Sequence, residues 1–197
     1  MPRRRYPHDV RIGILGGTFD PLHIAHLHAG EVAYRQLDLD EVRFMPAGAP
    51  WQKAGRQVSD AAARLEMARL ATEEVDYFTV DDREVHRDGW TYTADTLASF
   101  PAQDELFLIL GADAAAGVPS WNRTEDVVER ATIAVAPRTN SARSEVDAVL
   151  TGHVWLEMSR LDVSGTELRA WIASGRSPRF LVTDPVWWYL RENDLYS

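Results

Sequence analysis

None of the 197 residues is a cysteine, which excludes disulfides, thiol catalysis and cysteine-ligated zinc or iron–sulfur centres. No apolar run is long enough to cross a bilayer. The basic opening, with Arg3, Arg4 and Arg5, has no apolar stretch behind it. It is expected to be a frayed, solvated terminus rather than a secretory signal or a nucleic-acid arm. Positive charge is scarce: 21 Lys and Arg stand against 30 Asp and Glu, for a formal net charge of -9. That balance disfavours a dedicated nucleic-acid binder but allows a small anionic ligand in a locally positive pocket. The Walker spacing Gly-x-x-x-x-Gly-Lys-Ser/Thr, the dinucleotide fingerprint Gly-x-Gly-x-x-Gly and the zinc-peptidase frame His-Glu-x-x-His are all missing. A cytoplasmic protein with neither nucleic acid nor membrane as partner is expected.

A hydrophobic fraction of 45% is enough for one sizeable core. Strand-like apolar runs occur at residues 10–15, 41–46, 77–81, 106–110, 132–136 and 153–157. Helical patterns fall between them, at 27–34, 60–74, 93–100 and 124–130. This alternation predicts an α/β fold: a Rossmann-like doubly wound parallel sheet with a small helical C-terminal part. Residues 1–197 read as a single domain, with 158–197 as a mostly helical C-terminal subdomain. One helix should open at Ser164 and end at Gly175, and another should open at Thr183-Asp184-Pro185. Val186, Trp187, Leu190 and Leu195 then form an apolar stripe expected to pack on the sheet. Trp187 and Trp188 suit core packing or a homo-oligomer interface equally. The polar stretch 138–145 reads as a surface loop without a clear role.

The most informative segment is Gly16-Gly17-Thr18-Phe19-Asp20-Pro21-Leu22-His23-Ile24-Ala25-His26. It joins the first strand to the first helix. Gly16 and Gly17 leave backbone N–H groups open to a ligand, and the helix aims its positive dipole end at the same place. His23 and His26, three residues apart at a helix start, present both imidazoles on one face. Each can donate a hydrogen bond, and protonation would strengthen a grip on phosphate oxygens. A second candidate anion site is Ser164-Gly165-Thr166-Glu167-Leu168-Arg169. Here a capped helix start carries an arginine one turn on, whose planar fork suits phosphate.

Together the two segments resemble the HxGH nucleotidylyltransferase superfamily, and more narrowly the bacterial nicotinate-nucleotide adenylyltransferases. Residues 16–27 are similar to G-G-T-F-D-P-x-H-x-G-H-L, and 163–169 to I-S-S-T-x-I-R. Met45 to Lys53 resembles V-P-x-x-x-P-x-H-K. Arg64-Leu65-Glu66-Met67 matches R-x-x-M. Glu84 to Thr93 resembles E-x-x-R-x-G-x-S-Y-T. Gly111-Ala112-Asp113 resembles G-x-D, with Trp121 eight residues later. Two positions depart from the pattern: Ala25 stands where H-x-G-H has glycine, and Gly165 replaces the second serine of the late motif.

The resemblance implies a nucleotidylyltransferase domain that moves AMP from ATP to nicotinate mononucleotide, giving nicotinate adenine dinucleotide and pyrophosphate. His23, His26 and Arg169 would be catalytic. Gly16, Gly17, Thr18, Phe19, Gly111, Asp113, Ser164 and Thr166 would bind ATP. Lys53, Tyr92, Thr93 and Trp121 would meet the acceptor. Ordinary readings stand beside these: Trp121 as a core aromatic, Asp113 as a turn residue, Lys53 as a solvated charge. Mg²⁺ would be held through the ATP phosphates, with no protein metal site; Asp81, Asp82 and Glu84 read as a solvated strand end. Nicotinamide mononucleotide or phosphopantetheine as acceptor, and a non-catalytic nucleotide-sensing module, are the rival readings.

Overall fold

The computed structural model describes residues 10–48, 58–139 and 143–197. The N-terminal arginines, Trp51 and Lys53 lie outside the described residues. In chain order the elements are β1 (Arg11–Gly17), α1 (Ile24–Gln36), β2 (Glu41–Pro46), α2 (Ala61–Thr72), β3 (Phe78–Val80), α3 (Thr93–Ala98), β4 (Glu105–Gly111), α4 (Ala112–Ala116), α5 (Thr124–Arg130), β5 (Ala131–Ala136), α6 (Arg143–Asp147), β6 (Val154–Trp155), α7 (Gly165–Ala173) and α8 (Asp184–Glu192).

The strands form one six-stranded sheet in the order β3-β2-β1-β4-β5-β6, with every pair parallel. The chain starts in the centre, winds to one edge, and returns to the other side of β1. That reversal opens a crevice between the carboxyl ends of β1 and β4, the usual ligand position in open α/β sheets.

The two-residue period of the strands explains why the sheet is buried on both faces. In β4, Phe107 and Ile109 point into one core with Leu15, Val42 and Phe44. Leu106, Leu108 and Leu110 point into the other with Ile12, Ile14 and Val135. The first core is closed by buried residues of α1, α2, α7 and α8, among them Ala33, Met67, Leu168 and Leu190. The second is closed by α3, α4, α5 and α6, through Leu97, Ala115, Val127 and Val146. The doubly wound reading of the sequence therefore holds.

Differences from the expected elements concentrate at the edges. The outer strands β3 and β6 shorten to three and two residues, because each has a partner on one side only. Part of the expected surface loop at 138–145 is helix α6, anchored by fully buried Val146. Helix α8 starts one residue earlier than proline placement implies, with Thr183 as N-cap and Asp184 first. Its buried Val186 and Leu190 join the first core through contact with α2. Trp187 is partly buried against that core, and Trp188 is half exposed. Gly175 closes α7 at φ +76°, a left-handed conformation that favours glycine. Among the described residues, no helix is long and apolar enough to cross a membrane.

Candidate active site

A cavity of about 500 Å³ lies over the β1–β4 crevice. It is lined by both expected phosphate segments: Gly16, Gly17, Thr18, Phe19, His23 and His26 from β1 and the start of α1, and Ser164, Thr166 and Arg169 from α7. Gly111, Asp113, Thr93 and Trp121 line it as well. Tyr92 is not among the lining residues; it N-caps α3, its carbonyl accepting from Asp95 and Thr96.

The two glycines have different reasons to be glycine. A Cβ on Gly16 would meet nothing within 4 Å, so its backbone faces open cavity. A Cβ on Gly17 would lie 2.7 Å from the Phe19 ring. Phe19 is itself buried, at φ 52°, and meets the His26 ring edge-on with centroids 5.1 Å apart. It supports His26 through this contact while also lining the cavity. The start of α1 also uses donors internally: the Ile24 N–H donates to the Leu181 carbonyl at 2.9 Å.

The histidines stack with centroids 3.8 Å apart. His26 Nδ1 accepts from the His23 backbone N–H at 3.3 Å. In a neutral imidazole this bond places the proton on Nε2, which is then a donor. His23 is 2% exposed, and its Nδ1 has no hydrogen-bond partner among the described residues. Burial, reinforced by the nearby positive charge of Arg138, lowers its pKa to about 4. His23 is therefore neutral at pH 7, and its ring nitrogens act there without the added charge of a proton.

The turn is held from behind by groups far apart in sequence. Arg64, 1% exposed, donates to the carbonyls of Thr18, Ala47, Gly48 and Ser59 at 2.6 to 3.0 Å. Burial lowers its pKa, and the opposite charge of Asp20 works against that fall. The buried Asp20 carboxylate accepts from the Ser59 N–H and the Tyr196 hydroxyl. Burial, then the bond to Asp20, raise the Tyr196 pKa. Arg169 donates to the Asp20 carbonyl at 2.6 Å and lies 3.7 Å from its carboxylate.

Ser164 caps α7, its hydroxyl accepting from the Glu167 N–H at 3.2 Å. Thr166 Oγ1 accepts from Arg169 at 3.4 Å. The absence of a second serine has a steric cause: a Cβ on Gly165 would lie 2.8 Å from the Asp20 carbonyl oxygen. The helix start is pressed directly onto the turn that carries Asp20. Ala25 still fits, with its methyl group in the cavity wall.

At the far end, Glu84 is a correction. It is not part of a solvated strand end but lines the cavity beside Thr91 and Thr96. Burial raises its pKa, against the lowering effect of the Thr96 hydroxyl, which donates to it at 2.6 Å. Asp81 is paired with Arg83 and Arg43, and Asp82 with Arg69. Among the described residues, no three His, Asp or Glu side chains converge as a metal site. Arg138, just past β5, lines the cavity and was read from the sequence as loop. The rule that ligands sit beyond the carboxyl ends of parallel strands was the signal that could have found it.

The described geometry can be set against known proteins. The cytidylyltransferase-like family matches residues 14–171. A protein of Pseudomonas entomophila named "Probable nicotinate-nucleotide adenylyltransferase" is 42% identical, the match covering 94% of each chain. One of the same name from Dehalococcoides mccartyi is 37% identical over 95% of this chain and 98% of its own. Among solved structures, the nicotinic acid mononucleotide adenylyltransferase of Plasmodium falciparum, complexed with APC or with NaAD, superimposes with a TM-score of 0.78. It shares 17% identity, covering 95% of this chain and 97% of that one, so it speaks for the fold alone. With that family matched over most of the chain, and relatives 37% and 42% identical over nearly their whole length, the chain belongs to the cytidylyltransferase-like family and, within it, to the nicotinate-nucleotide adenylyltransferases.

Proposed function

We propose that this protein transfers the adenylyl group of ATP to the 5′-phosphate of nicotinate mononucleotide, forming nicotinate adenine dinucleotide and pyrophosphate in NAD biosynthesis. The observation that carries this reading is a single cavity lined by both phosphate-binding segments and by Thr93 and Trp121. The names of the full-length relatives support the same acceptor.

A phosphate oxygen of the acceptor attacks the α-phosphorus of ATP. The new O–Pα bond forms as the bond from Pα to the β-bridging oxygen breaks, and the electron pair leaves with pyrophosphate. The nucleophile is already anionic, so no general base has to remove a proton. Catalysis then rests on alignment and on donors placed where charge develops. His26 Nε2–H steadies the α-phosphate. His23, Thr18 and Arg169 hold the β- and γ-phosphates, with Ser164 and Thr166 at the α7 start. Gly16 admits the nucleotide backbone closely, and Asp113 meets the sugar hydroxyls beside Gly111. Trp121 stacks on the pyridine ring, with Thr93 and Lys53 shaping that end and Tyr92 positioning Thr93 as the N-cap of α3. Mg²⁺ would enter with the ATP phosphates, which with water would hold it, and would offset their charge.

The test is pyrophosphate release with ATP and Mg²⁺, comparing nicotinate mononucleotide, nicotinamide mononucleotide and phosphopantetheine. Strong preference for the first is the expected result. Preference for another acceptor would keep the reaction and reassign the acceptor end. ATP binding without release from any of them would favour a nucleotide sensor.

A further inference from the structure

The roles above leave one permanent charge in the cavity unused. Arg138 follows Pro137 at the carboxyl end of β5 and lines the cavity wall with Asp113. Its Nε lies 3.4 Å from Asp113 Oδ1, and both side chains are about half exposed. Such an exposed pair is weak and easily exchanged. The two reach each other across Gly111: a Cβ there would lie 2.8 Å from Asp113 Oδ1 and 2.9 Å from Arg138 Nε. Gly111 thus serves the pair as well as any nucleotide.

The charge inventory makes Arg138 significant. Among the described lining residues, the permanent cations are Arg138 and Arg169. Arg169 is already engaged by the carbonyl and carboxylate of Asp20. His23 is buried and neutral, so it brings no formal charge to the cavity. A triphosphate entering here would meet one guanidinium from α7 and one from β5.

We propose that Arg138 is a phosphate-binding residue of this site. When a nucleoside triphosphate enters, its guanidinium exchanges Asp113 for non-bridging oxygens of the polyphosphate. Asp113 is freed toward the sugar hydroxyls. In turnover Arg138 then stays with the departing pyrophosphate as the Pα–O bond breaks, and it moves no proton. This last step rests on the adenylyl-transfer reading; the binding step does not.

The experiment compares Arg138→Met, Arg138→Lys and Asp113→Asn with the unchanged protein. Calorimetry reads the binding of MgATP and of inorganic tripolyphosphate, which has no sugar. Pyrophosphate release reads turnover, and thermal unfolding checks the fold. Arg138→Met should weaken both ligands about tenfold and lower kcat/KM about 100-fold, with an unchanged Tm, as for loss of one charge-stabilising donor. Arg138→Lys should recover part of the binding but little of kcat, because a point charge replaces a planar fork. Asp113→Asn should weaken MgATP while leaving tripolyphosphate at least as tightly bound. Unchanged tripolyphosphate binding in Arg138→Met would overturn the proposal, even if MgATP weakened, since Arg138 would then act only through Asp113. If the unchanged protein binds tripolyphosphate but releases no pyrophosphate with any acceptor, the reaction reading fails while the binding result still decides the role of Arg138.

Discussion

The two ends of the cavity are built differently. At the phosphate end, three side chains distant in sequence converge on one turn: Arg64 on the Thr18 carbonyl, and Tyr196 and Arg169 on Asp20. At the other end, proposed above to hold the acceptor, a six-residue helix and the loops around it contribute Thr93, Glu84 and Trp121. There the described bonds are local in sequence, such as Thr96 to Glu84 over 12 residues and Arg87 to Thr96 over 9. The contrast follows the chemistry. Developing charge on phosphorus needs donors fixed before the reaction, because reorganising them during it would raise the barrier. Choosing among acceptors requires only differences in contact, which short loops can supply.

The comparison can be broken most severely at His26. His26→Ala should lower kcat about 1,000-fold while the protein stays folded by circular dichroism, the loss of one well-placed donor to developing charge. Near-normal turnover would remove His26 from the mechanism. Arg64→Met should cost about 3 kcal/mol or more in denaturant unfolding, because buried carbonyls lose their donor. It should also loosen ATP binding, since the turn carrying Thr18 is no longer pinned.

His23 gives a pH signature of similar size. Its pKa is about 4 when folded against 6.5 for the free group. Between those values the unfolded chain takes a proton that the folded chain refuses, so stability falls as pH drops through the window. The contribution is about 3 kcal/mol across it. Glu84, whose pKa is raised, acts in the opposite direction, so the effect is read as the difference between the unchanged protein and His23→Asn, which should lack this acid-side slope.

Gly165→Ser restores the hydroxyl of the family pattern but drives a Cβ into the Asp20 carbonyl. It should cost about 2 kcal/mol, typical of overpacking, and raise the KM for ATP. The smallest effect is expected at the acceptor end. Thr93→Val should raise the acceptor KM a fewfold, about 1 kcal/mol, and leave stability and ATP affinity near their starting values. If Thr93→Val destabilised the fold as much as Arg64→Met, the contrast between the ends would fail.

The same contrast explains what could be read from sequence. The strand, glycine turn and histidine-bearing helix are contiguous, so their chemistry is visible in eleven adjacent letters. The central strands were legible because their apolar alternation is set by burial on both faces. What lay hidden depends on contacts across the chain. Tyr196 reaches Asp20 over 176 residues and Arg169 over 149, and no local pattern announces either pairing. Glu84 sits among charged neighbours and read as solvated; only the fold turns it into the cavity. Arg138 looked like loop because its neighbours are polar, while its position is fixed by where β5 ends.

The central claim is direct transfer by placed donors, with no covalent adduct on either histidine. The most direct test is the stereochemical course at the α-phosphorus, using ATP carrying a single chiral α-thiophosphate. One in-line displacement predicts inversion in the dinucleotide product. Retention would contradict the account, because it requires two displacements and an enzyme-bound adenylyl intermediate.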